Sequence, residues 1–371
     1  MRISIAAFCA VGIVAAAAVL AGCSSGGSQS GGPGSSLPAS VAFNPNQLAQ
    51  TSSVGPAIPT LAVKPVAQRP DHRKSWVSPD AGKAHQLLFV TDASVGDVYM
   101  YTFPSLVPMG TPLTGLDAPQ SECSDAKGNV WVDVTDAHQI IKLSHNGTIR
   151  KTLTDPGYPV ACDVDPATGD LAVANGLSSS SGPGEVLVYK HARGTPKAYS
   201  DPSMDEYYFV GYDRSGNFYA DGTDAGGKFV LSECAAGCSS NGMSTIGISG
   251  GTIYVPGFVQ WYVLGGYLEV GDQYCLHDGE RQSCMYSVSI SGSSGTITNT
   301  TYLNNSSGTP ACDVVQAVIF PNNKITGSDY EYCNRAATST YVWPFSAGGN
   351  PKDSYANPDY MLPEGVAIST K

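Results

Sequence analysis

The stretch Asp125-Ala-Lys-Gly-Asn-Val-Trp-Val-Asp133 decides the fold, because variants of it recur along the chain. Two further copies are Asp165-Pro-Ala-Thr-Gly-Asp-Leu-Ala-Val-Ala-Asn175 and Asp213-Arg-Ser-Gly-Asn-Phe-Tyr-Ala-Asp221. Each copy joins a turn that contains Gly to a short alternating strand that ends in Asp or Asn. The copies begin 40 and 48 residues apart, so a β-structured unit of this size repeats along the chain.

The sequence around each copy predicts a four-stranded antiparallel meander. Around Trp131 the alternating segments are 120–125, 129–133, 138–143 and 148–153, and Asn146-Gly147 is a hairpin turn. A repeat of this length is typical of a β-propeller blade, in which the first strand lies innermost. Continued along residues 86–369, the pattern gives six blades of about 47 residues each.

The two ends of this region are complementary. Residues 362–369 read as an inner strand with no second strand after it, and residues 86–92 read as a second strand with no inner strand before it. Pairing them would complete one blade and remove two open sheet edges. The predicted fold is therefore all-β: a six-bladed β-propeller, closed by pairing of the C-terminal strand with the first blade and preceded by a disordered linker.

The Asp-x-x-Gly-Asn turn, the strand that ends in Asp and the segment Pro363-Glu-Gly-Val-Ala367 resemble NHL-type and SMP-30-like propellers. The resemblance covers roughly residues 86–369 and specifies a fold rather than a function. It implies that Cys123 and Cys162 lie on adjacent inner strands and could form a disulfide. It also implies the pairs Cys275–Cys284, across a hairpin, and Cys312–Cys333, between antiparallel strands, which leaves Cys234–Cys238.

The N-terminus reads as a lipoprotein signal followed by a tether. Residues 1–22 contain Arg2 and a long apolar run, and Leu20-Ala-Gly-Cys23 resembles the bacterial lipobox, in which the Cys carries the lipid. A plain transmembrane anchor is the alternative. Residues 23–84 are expected to be the lipidated Cys and a flexible Ser/Gly/Pro-rich linker, and residues 85–371 the propeller domain. Ser24 favours the outer membrane or outer surface of the cell envelope.

Charge and cysteine content agree with an extracytoplasmic domain. The formal net charge of −11 argues against binding to nucleic acid or to an anionic lipid surface. Once Cys9 and Cys23 are set aside, eight cysteines remain, and an even number in an oxidising compartment indicates disulfides. A metal site would need four ligands at suitable spacing, and only Cys234 and Cys238 come near it.

An acid or amide lies near the end of the second strand of every predicted blade, at Asp92, Asp136 (or Asp133), Asn175, Asp224 (or Asp221), Asp272 and Asp329. If the blades superpose, these six side chains surround one mouth of the channel. Two explanations are open. They could bind a divalent cation or another cationic ligand, or each could cap its own loop as an Asx turn.

No catalytic set follows from these residues. SMP-30-like enzymes open lactones with a metal held by Glu, Asn and Asp, but Glu122, Glu269 and Glu364 match that pattern only loosely. Streptogramin-lyase-like propellers use His with a metal, and here no two His share a blade position. We therefore expect a monomeric, non-catalytic module that binds a protein, peptide or carbohydrate and needs no cofactor. A metal-dependent lyase or lactonase is the alternative.

Overall fold

The computed structural model describes residues 76–178, 182–330 and 338–371, and this part of the chain is almost entirely β-structure. It contains 23 strands and two short 3₁₀-helices, Pro79–Lys83 and Lys190–Ala192. Successive strands pair antiparallel with their neighbours in sequence, which produces meanders rather than crossovers. No helix in the described ranges is long and apolar enough to cross a membrane.

The strands form six meanders, which we call sheets 1 to 6. Sheet 1 contains β1 (Gln86–Asp92), β2 (Asp97–Thr102) and β23 (Pro363–Thr370). Sheet 2 contains β3 (Pro119–Ser124), β4 (Val130–Val134), β5 (Gln139–Leu143) and β6 (Ile149–Thr154). Sheet 3 contains β7 (Pro159–Val164), β8 (Leu171–Asn175), β9 (Glu185–Tyr189) and β10 (Lys197–Tyr199). Sheet 4 contains β11 (Glu206–Tyr212), β12 (Phe218–Thr223), β13 (Phe229–Cys234) and β14 (Ser244–Ser249).

The last two meanders complete the set. Sheet 5 contains β15 (Pro256–Tyr262), β16 (Tyr267–His277), β17 (Glu280–Ser291) and β18 (Ser294–Tyr302). Sheet 6 contains β19 (Val314–Phe320), β20 (Lys324–Asp329), β21 (Ser339–Pro344) and β22 (Asp353–Ala356). A parallel pairing of β14 with β18 joins the outer edges of sheets 4 and 5 into one eight-stranded sheet.

The C-terminal strand pairs with the first strand. β23 runs antiparallel to β1 from Gln86 opposite Thr370 to Asp92 opposite Pro363. The first strands of the six sheets contact one another in the order β23, β3, β7, β11, β15, β19 and back to β23. Each begins at the end where its second strand finishes, and we call this end the mouth face. The opposite end holds the turns between first and second strands and residues 76–85, and we call it the linker face.

The core consists of apolar layers between neighbouring sheets. Leu87 and Phe89 of β1 pack with sheet 2, whereas the intervening Leu88 and Val90 pack with sheet 6. A strand turns successive side chains to opposite faces, so a strand buried on both faces reads as a continuous apolar run. Trp131 likewise points from β4 into the layer shared with sheet 3.

Polar side chains of several first strands form hydrogen bonds to the first strand of the next sheet. The Asp163 carboxylate in β7 accepts a hydrogen bond from the N–H of Tyr212 in β11, at 2.7 Å. Gln260 in β15 pairs with both backbone groups of Ile319 in β19, at 2.8 and 2.9 Å. The Gln316 amide oxygen in β19 accepts from the N–H of Val366 in β23, at 2.9 Å. These contacts fix the first strands relative to one another.

Three of the predicted cysteine pairs lie at disulfide distance. Cys123–Cys162 joins β3 to β7, Cys275–Cys284 crosses the β16–β17 hairpin, and Cys234–Cys238 closes a short loop after β13. These pairings are confirmed. Cys333 lies outside the described residues, so the predicted Cys312–Cys333 pair stays a prediction. Disulfides are typical of extracytoplasmic proteins.

Two features differ from the sequence-based expectation. Residues 76–84 were assigned to the linker, but Val77 and Ala81 are buried and Trp76 donates a hydrogen bond to the carbonyl of Gly147, at 2.9 Å. The few apolar residues in this segment show no periodicity, so the sequence does not show that the segment packs on the domain. The β16–β17 hairpin is also longer than predicted, because polar residues around His277 and Glu280 continue the ladder beyond the apolar pattern.

Candidate functional site

The register of the sheets brings four of the six predicted mouth residues to equivalent positions. Asp92 lies opposite Pro363, Asn175 opposite Pro159, Asp272 opposite Pro256, and Asp329 opposite Val314. All four lie beside the start of the first strand of the same sheet; Asp92, Asn175 and Asp329 end their second strands, whereas Asp272 lies in the middle of the longer β16. All four are buried. The structure thus places them together at the mouth face, below its surface.

Three of these carboxylates hold the loop that leads into the first strand. Asp92 accepts hydrogen bonds from the N–H groups of Met361 and Leu362, at 2.7 and 3.1 Å. Asp272 accepts from Tyr254 and Val255, at 2.9 and 3.0 Å.

In sheet 6, Asp329 accepts in the same way from the N–H of Cys312, at 2.9 Å. The same acid therefore performs the same bracing role in three sheets, and its oxygens are engaged by backbone donors.

The other three predicted residues occupy different settings. Asn175 lies beside Asp155, whose pKa is raised by burial, against hydrogen bonds from Tyr189, Gly157 and the Asn175 amide. Asp224 lies in the β12–β13 turn and accepts from the N–H groups of Gly226 and Lys228, both at 2.9 Å. Asp136 lies in the β4–β5 loop, where its N–H donates to the carbonyl of Asp117, at 3.2 Å. Asp136 and Asp224 are half-buried loop residues rather than strand ends.

A deeper layer of acids lies on the strands themselves. Burial and the nearby Asp133 carboxylate raise the pKa of Glu122 well above its usual range. Burial and Asp92 raise the pKa of Glu364 to about 8. Burial also raises the pKa of Asp163 to about 7, against the hydrogen bond from Tyr212. At neutral pH several of these groups are therefore protonated, and the interior is less negative than its composition suggests.

Two more acids belong to this layer. Burial raises the pKa of Glu269 to about 7, opposed by hydrogen bonds from the Ser287 hydroxyl. Burial also raises the pKa of Asp221 well above its usual range, opposed by the N–H of Phe209. Within the described residues, no group of three or more His, Cys, Asp or Glu side chains is arranged to hold a metal ion. Sequence alone suggested Glu122, Glu269 and Glu364 only loosely.

The axis between the first strands is narrow and crossed by Gln316. Its amide nitrogen donates to the carbonyl of Glu122 in β3, at 2.8 Å, while its oxygen accepts from Val366 in β23. The cavity at the mouth holds about 30 Å³, about the volume of one water molecule, and is lined by Gln120, Val160, Tyr208, Phe209, Gln273, Val315 and Glu364. A cavity of about 100 Å³ includes Glu122, Asp163 and Gln316 in its lining. A ligand of ordinary size therefore meets the outer surface of the mouth face.

The rim of the mouth face carries exposed apolar side chains. Val95, Tyr254, Leu276 and Met361 are exposed, with Met361 at 65% of its surface. They lie in the β1–β2 turn, the loop before β15, the β16–β17 hairpin and the loop before β23. Four more exposed apolar side chains, Val107, Val263, Leu264 and Tyr267, lie on the linker face, so the mouth rim is one of two faces that could form an apolar contact surface.

The β16–β17 hairpin is the most elaborate part of this rim. It continues to the pair His277–Glu280 and is crossed by the Cys275–Cys284 disulfide. Arg281 forms an ion pair with Asp313 of the neighbouring loop and lies over the ring of Tyr274, 4.9 Å from its centroid. Two cysteines nine residues apart around a polar turn were the one sequence signal that could have located this element.

The sequence matches no protein-family model and no curated protein. The fold, however, is similar to solved structures. A chain of the nidogen/laminin complex superposes with a TM-score of 0.55 and 10% identity, covering 76% of this chain and 98% of that chain. A protein of unknown function from Bacteroides caccae superposes with a TM-score of 0.57 and 12% identity, covering 78% and 100%. Together with the repeated meanders, these similarities indicate a β-propeller fold, which by itself says nothing about a ligand.

Proposed function

We propose that this protein is a lipid-anchored, extracytoplasmic, six-bladed β-propeller that binds a partner through its mouth face without catalysis. The observation that carries the proposal is the engagement of Asp92 and Asp272 by backbone N–H groups. These acids, which a catalytic mouth would use, hold loops in place. The surface above them presents the exposed apolar and aromatic side chains of the rim among accessible acidic ones.

The six-bladed arrangement is supported by the pairing of β23 with β1 and by the contacts between successive first strands. In this description sheet 1 is the blade built from both ends of the chain. Its outer edge is continued by two isolated bridges, Val98 with Leu113 and Tyr101 with Pro108, where a fourth strand would lie.

Lipid anchoring is supported by the lipobox-like Leu20-Ala-Gly-Cys23 and by the three disulfides. The lipobox-like segment and the disulfides are independent observations, and both favour a domain outside the cytoplasmic membrane. We expect Cys23→Ser to release the protein from cell membranes in a fractionation experiment. Retention of the variant would contradict the anchor.

The binding surface can be tested with a panel of peptides and oligosaccharides screened by surface plasmon resonance. For any ligand of the wild-type protein, Met361→Ser should weaken binding by about tenfold, because a buried Met side chain contributes ~1.5–3 kcal/mol. Leu264→Ser is the matched control, since Leu264 is exposed to 67% but lies on the linker face. A ligand that Met361→Ser leaves unaffected, or that Leu264→Ser abolishes, would refute the surface.

The same purified protein tests the enzymatic alternative. Two results together would show that the protein is a lactonase and not a binding module. They are one equivalent of bound metal per chain and hydrolysis of lactone substrates that Glu364→Gln abolishes. We expect the panel ligand to bind equally well after treatment with EDTA.

A further inference from the structure

Opposite charges occupy opposite ends of this domain. Of the Lys and Arg residues that the structure describes, only Lys228 and Arg281 lie on the mouth face, and Arg281 is paired with Asp313. The others lie on the linker face, either in its turns or within the adjoining ends of strands: Lys83, Lys127, Lys142, Arg150, Lys151, Lys190, Arg193, Lys197, Arg214, Lys324, Lys352 and Lys371.

The solvent-accessible acids are distributed in the opposite way. The mouth face carries Asp97, Asp117, Asp136, Glu185, Asp205, Glu206, Asp224, Asp278, Glu280 and Asp359. The linker face carries fewer accessible acids, which are Asp80, Asp125, Asp170, Glu233 and Asp353. Two of them are ion-paired, Asp80 with Lys83 and Asp125 with Lys142, while Asp165 and Asp213 are buried and accept hydrogen bonds within their own turns. The net charge of −11 therefore conceals a basic end and a strongly acidic end.

The two ends are far enough apart to act independently. A first strand of six to eight residues spans about 20–25 Å at ~3.3 Å per residue. The screening length at physiological ionic strength is about 8 Å. A charged surface in contact with the linker face is therefore attracted by that face and hardly repelled by the acids of the mouth.

A groove between sheets 2 and 3 opens on the linker face. It measures about 390 Å³, and Lys127 and Lys142 share its lining with Asp125 and Asp165, with Lys142 ion-paired to Asp125 at 2.9 Å. Burial and the positive charges of Lys142 and Arg193 lower the pKa of Lys151 beside it. The exposed Arg150, Lys190 and Arg193 add positive charge on the same face, which favours the approach of an anion.

The chain that precedes the described residues also starts from this face. Trp76 donates to the carbonyl of Gly147 in the β5–β6 turn, and the carbonyl of Ala84 lies 3.0 Å from the His145 ring. Between Cys23 and Trp76 the sequence predicts a flexible tether, for which a root-mean-square length of about 40 Å is expected. A tether of this length allows the linker face to reach the membrane that holds the anchor.

We propose that the linker face docks on anionic phospholipid headgroups of the membrane that holds the anchor, with the exposed Arg150, Lys190 and Arg193 in contact with the headgroups. The mouth face is then turned away from the membrane, toward its partner. The inference rests on the lipid anchoring in the proposed function. It adds a second, electrostatic membrane contact, and basic residues near an anionic surface each strengthen binding about fivefold.

Amine footprinting of the full-length lipidated protein tests this orientation. The protein is reconstituted on vesicles of phosphatidylcholine, or of phosphatidylcholine with phosphatidylglycerol, and acetylated briefly before mass spectrometry. Acetylation of the exposed Lys127 and Lys190 should slow at least threefold on the anionic vesicles and recover in 0.5 M salt. Lys228, exposed on the mouth face, is the internal control and should react equally on both.

A variant removes charge without removing the labelled amines. Arg150→Glu with Arg193→Glu should abolish the protection of Lys127 and Lys190, and circular dichroism confirms its fold. Equal acetylation on both kinds of vesicle, or protection of Lys228, would overturn the docking. Protection by soluble heparin but not by vesicles would assign the face to an acidic polysaccharide instead. Wild-type protein that washes off neutral vesicles would contradict the lipid anchor, a failure distinct from loss of the footprint.

Discussion

The bracing role of Asp92 predicts a large loss of stability when its carboxylate is removed. Asp92 accepts hydrogen bonds from four N–H groups, those of Ser94, Val95, Met361 and Leu362. Hydrogen bonds to a charged group contribute ~1.5–3 kcal/mol each, but water can replace the donors of the exposed β1–β2 turn. We therefore expect Asp92→Ala to lower the free energy of unfolding by about 3–4 kcal/mol.

Urea unfolding followed by tryptophan fluorescence measures this loss. Asp92→Asn keeps one acceptor oxygen and should lose about half as much. Asp97→Ala, in the same hairpin, is the matched control, because the Asp97 carboxylate accepts a hydrogen bond from the Tyr99 hydroxyl rather than from the loop before β23. If the free energy of unfolding of Asp92→Ala lies within about 1 kcal/mol of the wild-type value, the carboxylate does not stabilise the loop before β23. The equivalent positions of Asp92 and Asp272 in their sheets then need another explanation.

Three further predictions concern the protonated interior, the disulfides and the closing strand. The folded chain keeps protons on Glu364, Asp163 and Glu269 that the unfolded chain has lost, so the free energy of unfolding should fall as pH rises from about 5 to about 8. Glu364→Gln should flatten this slope by up to ~1.4 kcal/mol per pH unit, and an unchanged slope in urea titrations would count against it. Replacing Cys123 and Cys162 by Ser removes a disulfide between residues 39 positions apart and should lower the free energy of unfolding by about 4 kcal/mol. The same change at Cys234 and Cys238, only 4 positions apart, should lower it by about 2 kcal/mol. Equal losses would contradict the dependence on loop length. Deleting residues 362–371 should abolish the cooperative thermal transition, because β1 would lose its partner, whereas a native-like melt would show that the β1–β23 pairing is dispensable.

The strands were predictable where alternation or β-branched runs are strong. Residues 86–92, 185–189 and 324–329 were placed with the bounds that the structure shows. The error at the β16–β17 hairpin has a physical cause. From Leu276 to Glu280 the side chains are exposed, so no apolar pattern in the sequence marks this end of the two strands.

The candidate site was predictable in position but not in role. Period-2 geometry places Asp92, Asn175, Asp272 and Asp329 at the same end of their sheets. Whether their oxygens face a ligand or a loop depends on residues far away in sequence, since Met361 is 269 positions from Asp92. The same holds for Gln316, whose contact with Glu122 spans 194 positions.

Charge segregation was hidden for a related reason. The net charge of the sequence sums over both ends of the domain, and only the strand directions assign each Lys or Asp to one of them. Turns alternate between the two faces along the chain, so basic and acidic residues that lie about 20–25 Å apart in space are close in sequence. An exclusion based on net charge therefore does not apply to the individual faces.

Hydrogen–deuterium exchange on the protein with a bound panel ligand shows which face is in contact with that ligand. Binding at the mouth face should slow exchange in its loops, residues 92–97, 250–255, 273–281 and 357–362, and leave exchange in the turns of the linker face unchanged. Protection confined to residues 125–129 and 165–170 on the linker face would contradict it.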